Sequence, residues 1–139
     1  MRIDGEDGDG ENGIGGEIMA RILVVDDAAF MRVLLKNILK SGGHEVVGEA
    51  ENGIEALEKY EELKPDLVTM DIVMPHLDGI ETTRSIIKID PKARIVMCTA
   101  VGQQAKVLEA IKAGARGYIV KPFQADKVLK EIEKVLSSA

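Results

Sequence analysis

The sequence predicts an α/β fold: a single doubly wound (βα)5 domain built on a five-stranded parallel sheet. Two observations carry that prediction. After Ala20, short apolar runs rich in Val and Ile alternate with amphipathic segments of helical spacing, five of each. Each pair takes about 20–25 residues, the length of a right-handed crossover that returns to a parallel neighbour. A chain of 139 residues, 45% of them hydrophobic, can fill one core of this kind.

The first strand is expected at Arg21–Val25 and runs directly into two adjacent acids, Asp26 and Asp27. The helix after it carries the stripe Met31, Leu34, Leu35, Ile38 and Leu39 and stops at Gly42-Gly43. A second strand, Glu45–Glu49, leads to a helix whose apolar face begins with Ile54 and Leu57. The third strand, Asp66–Met70, precedes Asp71 and a helix with Ile80, Thr83 and Ile87 on one side. Arg94–Cys98 is the fourth, followed by Thr99 and a helix bearing Val107, Leu108 and Ile111 that ends at Gly114. Gly117–Val120 is the fifth, followed by Lys121 and a helix with Val128, Ile132, Val135 and Leu136. Pro65 and Pro91 fall in connections, where a missing N–H costs little.

Ligands of open α/β sheets bind at the carboxyl ends of the strands. Those ends present Asp26, Asp27, Asp71, Thr99 and Lys121, whereas the second strand ends in Glu49-Ala50 and adds nothing obvious. Two carboxylates about 4 Å apart repel by roughly 4 kcal/mol at an effective dielectric near 20. N-capping of the first helix would account for one acid but not for two. With no basic partner expected beside them, the carboxylates suit a hard divalent cation, and Mg²⁺ fits best because it uses few carboxylates and shares phosphate oxygens.

The segments VVDDAAFMR, MDIVMPHLDG, CTAVGQQ and IVKPF resemble the receiver domain of two-component response regulators, most of all its stand-alone chemotaxis members. The resemblance runs from Ala20 to about Leu136. It implies a strand order of 2-1-3-4-5, which brings Asp26, Asp27 and Asp71 together, puts Thr99 beside them and leaves Lys121 about two strand spacings away. It implies that Asp71 is the phospho-acceptor, forming an aspartyl phosphate, with Lys121 and the metal offsetting charge. Asp27, Asp71 and the backbone carbonyl of Val73 would ligate Mg²⁺ directly and Asp26 through water. Thr99 and Tyr118 would read the phosphoryl group, and Lys121-Pro122 would be a cis peptide. The switched surface would be the fourth helix, fifth strand and fifth helix.

The resemblance further implies a signalling receiver rather than an enzyme, one that promotes its own phosphorylation and dephosphorylation. Its partners would be a chemotaxis histidine kinase, a flagellar motor switch protein or its adaptor, and a phosphatase. A relay receiver in a multi-step phosphotransfer chain is the alternative. No output domain follows Ala139, so the signal is expected to leave by docking. An aspartate-nucleophile phosphatase would need a second acid where Val73 stands. A flavodoxin-like carrier would need a phosphate loop where Asp26-Asp27 would repel the phosphate.

Composition removes other classes. There is no Trp, and only two Tyr and two Phe, which with a net charge of −6 disfavours nucleic-acid binding. One cysteine, Cys98, excludes a disulfide framework and is expected to be inert core. No apolar run approaches the roughly 18 residues of a membrane span, so a cytoplasmic protein is expected; it is also expected to be a monomer. Residues 1–18 hold one arginine against six acids and many glycines, so residues 1–19 are expected to form a disordered acidic tail ahead of a receiver domain at 20–139. The alternation of Asp7, Asp9 and Glu11 imitates a calcium loop, but Asn12 and Ile18 stand where that loop needs Gly and Glu. His44 and His76 are expected to be surface polar residues, and Met31, Met70, Met74 and Met97 gap fillers. Val73 and Val101, which cannot orient water, predict slow hydrolysis of the phosphoryl group.

Overall fold

The computed structural model describes residues 18–138. The expected acidic tail and the calcium-loop imitation fall almost wholly on residues 1–17, outside the described residues. Ten elements alternate along the chain: β1 (Arg21–Val25), α1 (Ala29–Ser41), β2 (Glu45–Ala50), α2 (Gly53–Leu63), β3 (Leu67–Asp71), α3 (Gly79–Ile89), β4 (Ile95–Ala100), α4 (Gln104–Lys112), β5 (Gly117–Lys121) and α5 (Ala125–Ser137). All strand pairs are parallel, in the order β2-β1-β3-β4-β5. This is the doubly wound parallel sheet the sequence predicts, in the 2-1-3-4-5 order the resemblance implies.

The central strands read as unbroken apolar runs because helices cover both faces. Leu23, Val25, Val68, Met70, Ile95 and Met97 pack with Ala56, Tyr60, Ile80, Ile86 and Ala110 in one layer. Ile22, Val24, Leu67, Val96, Cys98 and Ile119 pack with Leu35, Leu39, Val128, Ile132 and Val135 in the other. Successive residues of each strand enter opposite layers, as the two-residue period requires. All five residues of β3 are buried, so the middle of the sheet is the most enclosed part of the molecule.

The strand ends differ from expectation in one direction. β3, β4 and β5 extend to Asp71, Ala100 and Lys121, with Asp71 paired to Cys98, Thr99 to Val120 and Ala100 to Lys121. A polar side chain does not stop a backbone ladder; it only changes what faces the crevice. The helical stripes also need correction. On α1, Leu35 and Leu39 are buried while Leu34 is exposed, and on α2 the buried residues are Gly53, Ala56 and Tyr60 while Ile54 is exposed. On α4 only Ala110 is buried; Leu108 and Ile111 face outward, because β5 is an edge strand with no neighbour to carry the layer farther.

Helix ends were less legible. Asn52 and Asp78 cap α2 and α3 by accepting from the N–H groups of Glu55 and Glu81 at 2.8 and 2.9 Å. α2 closes on Lys64 in the left-handed region (φ 46°), and the Arg21 guanidinium donates to the Leu63 and Lys64 carbonyls at 2.9 Å each. Arg21 thus ties the start of β1 to the end of α2.

His44 is not the surface residue expected. It is 5% exposed, and its Nδ1 accepts from the Ala20 N–H at 3.1 Å. His76 is exposed as expected. Burial holds the His44 imidazole below its ordinary pKa of 6.5, against the opposing pull of the Glu133 carboxylate. The unfolded chain therefore takes up this proton first, and the stability His44 contributes is present above pH 6.5 and lost as pH falls below it. Replacing His44 with Asn, which keeps an acceptor without a titrating group, is expected to flatten the fall in stability between pH 7 and pH 5. Parallel urea denaturation profiles for the two proteins across that range would contradict this assignment.

Candidate functional site

Register decides which acids meet. Val25 pairs with Met70, so the residues that follow, Asp26 and Asp71, stand side by side at the carboxyl edge of the two central strands. Asp27 comes next along the chain, and carboxylate oxygens of Asp26, Asp27 and Asp71 all lie within 4.8 Å of one another. Asp26 and Asp71 are buried; Asp27 is exposed.

The expectation that these acids lack a basic partner is wrong. Lys121, on β5 with β4 between it and β3, reaches across to donate from Nζ to Asp26 Oδ2 at 3.0 Å and lies 3.4 Å from Asp71 Oδ2. Its four-carbon stem crosses above β4 and the acids' own side chains cover the rest of the gap, a meeting no short side chain could make. The neighbouring carboxylates raise its pKa further against the cost of its burial. The Lys121-Pro122 peptide is cis, as the resemblance implies.

Asp26 is fixed on every side. Its N–H donates to the Ala50 carbonyl at 3.0 Å, its Oδ1 accepts from the Ala28 N–H at 2.9 Å, and its carbonyl accepts from Arg32 at 2.6 Å. The bond to Ala28 is a turn two residues long, and α1 has no side-chain cap, so capping does not explain the acid pair. Arg32 also donates to Glu49, which accepts from Lys36 as well, at 2.9 and 2.6 Å. Those bonds, that of Lys36 foremost, hold the Glu49 carboxyl below its ordinary range. Sequence reading assigned β2 no part in the site, yet Glu49 positions the arginine that holds Asp26. An acid inside a strand gave no signal of this. Among the described residues no donor bonds the Asp27 carboxylate, so its oxygens remain open to a ligand.

Asp71 is the most perturbed member. Burial and the charge of Asp26 push its pKa up to about 6, with Lys121 opposing and Asp27 adding a little. At pH 7 it is therefore mostly ionised, and three carboxylates face one ammonium. The excess of two negative charges and the all-oxygen donor set fit a hard divalent cation.

Gly79, at the start of α3, sets how closely that helix approaches. Any side chain there would collide with the Asp71 carbonyl oxygen, and its Cβ would lie 2.9 Å from the Asp71 carbonyl carbon. Its N–H instead donates to the Ile72 carbonyl at 2.9 Å. Val73 and Val101, two residues beyond Asp71 and Thr99 respectively in sequence, are exposed. Thr99 is buried at the end of β4, and its hydroxyl meets the Gln103 side chain at 3.1 Å. Tyr118 is 46% exposed on β5, beside a groove of about 440 Å³ lined by Thr99, Val101, Val107, Leu108, Ile111 and Val120. Cys98 is buried beside Asp71, and burial pushes its thiol far above its usual range, as an inert core residue requires. Among the described residues, no helix is long and apolar enough to cross a membrane.

The family model for the response regulator receiver domain matches residues 22–133. The chain is 61% identical to the chemotaxis protein CheY of Thermotoga maritima over 83% of this chain and 96% of that protein. It is 62% identical to CheY of Bacillus subtilis over 84% and 98%. Among solved structures, a CheX–CheY–BeF3–Mg complex from Borrelia burgdorferi contains a similar chain, with a TM-score of 0.81 and 36% identity over 85% of this chain and 90% of that one.

An acid whose pKa is higher in the fold than in the unfolded chain contributes stability below its unfolded value, and that stability is lost as pH rises through the folded value. For Asp71 the window runs from 3.8 to about 6. Without divalent metal, Asp71→Asn is expected to stabilise the protein at pH 7 by roughly 1–3 kcal/mol and to lose that advantage below pH 4. Urea denaturation in EDTA measures both, and equal stability at pH 7 would refute the electrostatic cost assigned to Asp71.

Proposed function

Since the chain belongs to the response regulator receiver family of two-component systems and is homologous to chemotaxis CheY proteins, we propose that it carries a phosphoryl group on Asp71. The observation that supports this best is the reach of Lys121 from β5 to Asp71, alongside three converging carboxylates. One ammonium thereby serves both buried acids, 3.0 Å from Asp26 and 3.4 Å from Asp71.

An Asp71 oxygen attacks phosphorus, and the bond from phosphorus to the donor's leaving atom breaks, on a histidine kinase or a small acyl phosphate. With a pKa of about 6 the carboxyl is mostly ionised at pH 7 and available to attack. Lys121 already lies between Asp26 and Asp71, so a small movement of its ammonium brings it to a phosphoryl oxygen. Mg²⁺ held by Asp27, Asp71 and the Val73 backbone carbonyl, with Asp26 acting through water, would supply the remaining positive charge. Asp26 is too tightly bonded to swing, so it orients rather than reacts.

Thr99 and Tyr118 then read the new charge: the hydroxyl turns to a phosphoryl oxygen, and the ring moves into the groove between α4 and β5. The output face is α4, β5 and α5. The protein works as a cytoplasmic monomer, phosphorylated by a chemotaxis kinase, docking on a flagellar switch protein or its adaptor and reset with the help of a phosphatase. The receiver unit is residues 20–139, with 1–19 as a tail outside it. Service as a relay receiver is the second reading, and a pull-down against histidine phosphotransfer proteins separates the two.

Incubation with Mg²⁺ and acetyl phosphate is expected to add one phosphoryl group to the wild-type mass, with no adduct in Asp71→Asn or in EDTA. An adduct on Asp71→Asn, or none on the wild type, would sink the reading. The exposed apolar Val73 and Val101 leave the attacking water without a polar partner. Combining Val73→Asn with Val101→Glu is expected to shorten the phosphoryl lifetime by at least about tenfold; an unchanged lifetime would remove that explanation.

A further inference from the structure

The side chain of Gln103 has no part in the chemistry above, yet it engages the residue expected to read the phosphoryl group. Gln103 is the last residue of the loop between β4 and α4, and its own carbonyl accepts from Lys106 and Val107 at 3.1 Å each, starting the helix. Its side chain folds back over the loop. The Ala100 N–H donates to Gln103 Oε1 at 3.0 Å, and the Thr99 hydroxyl lies 3.1 Å from the same oxygen.

The Ala100 bond settles which amide atom faces inward, because a backbone N–H needs an acceptor. Thr99 therefore meets an oxygen, as it does at the Ala100 carbonyl, 3.2 Å away. Both neighbours are acceptors, and a hydroxyl has one proton to give. That proton cannot also go to a phosphoryl oxygen on Asp71. Gly102, at φ +93° with nothing within 4 Å of where a Cβ would stand, gives the loop the turn it needs to bring Gln103 back.

We infer that Gln103 is a positioning residue: its amide oxygen latches the Thr99 hydroxyl and the β4–α4 loop in the unphosphorylated arrangement, and phosphorylation must break this bond. The inference rests on the proposed role of Thr99 and adds the group that opposes it. Because the latch is made only in the resting state, its removal favours the active state by linkage. The same amide oxygen also accepts from the Ala100 N–H, which couples the hydroxyl to the loop backbone, so releasing one loosens the other.

Beryllofluoride with Mg²⁺, which mimics an acyl phosphate on a carboxylate, tests the latch on the full chain without a kinase. Binding is followed through the Ala100 amide resonance. Gln103→Met keeps length and volume but has no acceptor, and is expected to bind beryllofluoride about three- to tenfold more tightly than wild type, the ratio equivalent to one ordinary hydrogen bond. In a Thr99→Val background, where no proton is there to hold, the same substitution is expected to change affinity less than about twofold. Equal affinity of wild type and Gln103→Met, or an equal gain with and without the Thr99 hydroxyl, would overturn the latch. Failure of the wild type to bind beryllofluoride would instead overturn the phospho-acceptor reading on which the latch depends.

Discussion

The ammonium of Lys121 between Asp26 and Asp71 is the interaction on which the rest of the site depends. Two carboxylates, each less than a tenth exposed, sit at the carboxyl edge of the two innermost strands. Burial and the charge of Asp26 act to protonate Asp71, and its pKa, up to about 6, records that pressure. Lys121 opposes that rise, so Asp71 remains mostly ionised near neutral pH. The lysine leaves an excess of negative charge that suits a further cation. The protein is thus assembled with a deficit of positive charge where its chemistry is proposed to happen.

Holding that deficit in place requires a rigid frame, and the frame extends beyond the acids. Asp26 is bonded through its backbone to β2 and through its carbonyl to Arg32 of α1, while Glu49 on β2 anchors Arg32 and Lys36 together. On the other side, Gly79 lets α3 begin directly against the Asp71 backbone. Asp26 and Asp71 are consequently located by two strands, two helices and a tight turn rather than by loops. Thr99 is placed differently. Its hydroxyl lies 3.1 Å from the Gln103 amide oxygen, which also accepts from the Ala100 N–H, so a change of partner there would be felt by the loop backbone. A rigid acidic centre beside a re-partnering hydroxyl is a physically reasonable division between chemistry and readout.

The sheet edge explains why output would face one way. β5 has a neighbour on one side only, and α4 buries just Ala110, so Leu108, Ile111, Tyr118 and Val120 remain exposed around an apolar groove. Helical periodicity at Val107, Leu108 and Ile111 identified the helix correctly and its buried side incorrectly. Periodicity reports that a helix has an apolar face, not whether the fold supplies anything to cover it. The same limit applies to Ile54 and Leu34.

The alternation of apolar runs and amphipathic segments determined the architecture, since a parallel sheet covered on both faces is the structure that satisfies five such units in succession. The strand ends alone place Asp26, Asp27, Asp71, Thr99 and Lys121 at one edge, because the carboxyl ends of parallel strands coincide whatever their loops do. Tertiary structure alone decided what these groups touch. That Lys121 bonds Asp26 and not Asp71 first, that Glu49 braces Asp26 through Arg32, that Gln103 holds Thr99, and that His44 is buried all join residues on different elements or across a folded turn. Their distances depend on how strands twist and helices settle in three dimensions, and a pattern of residue types along one chain does not encode those distances directly.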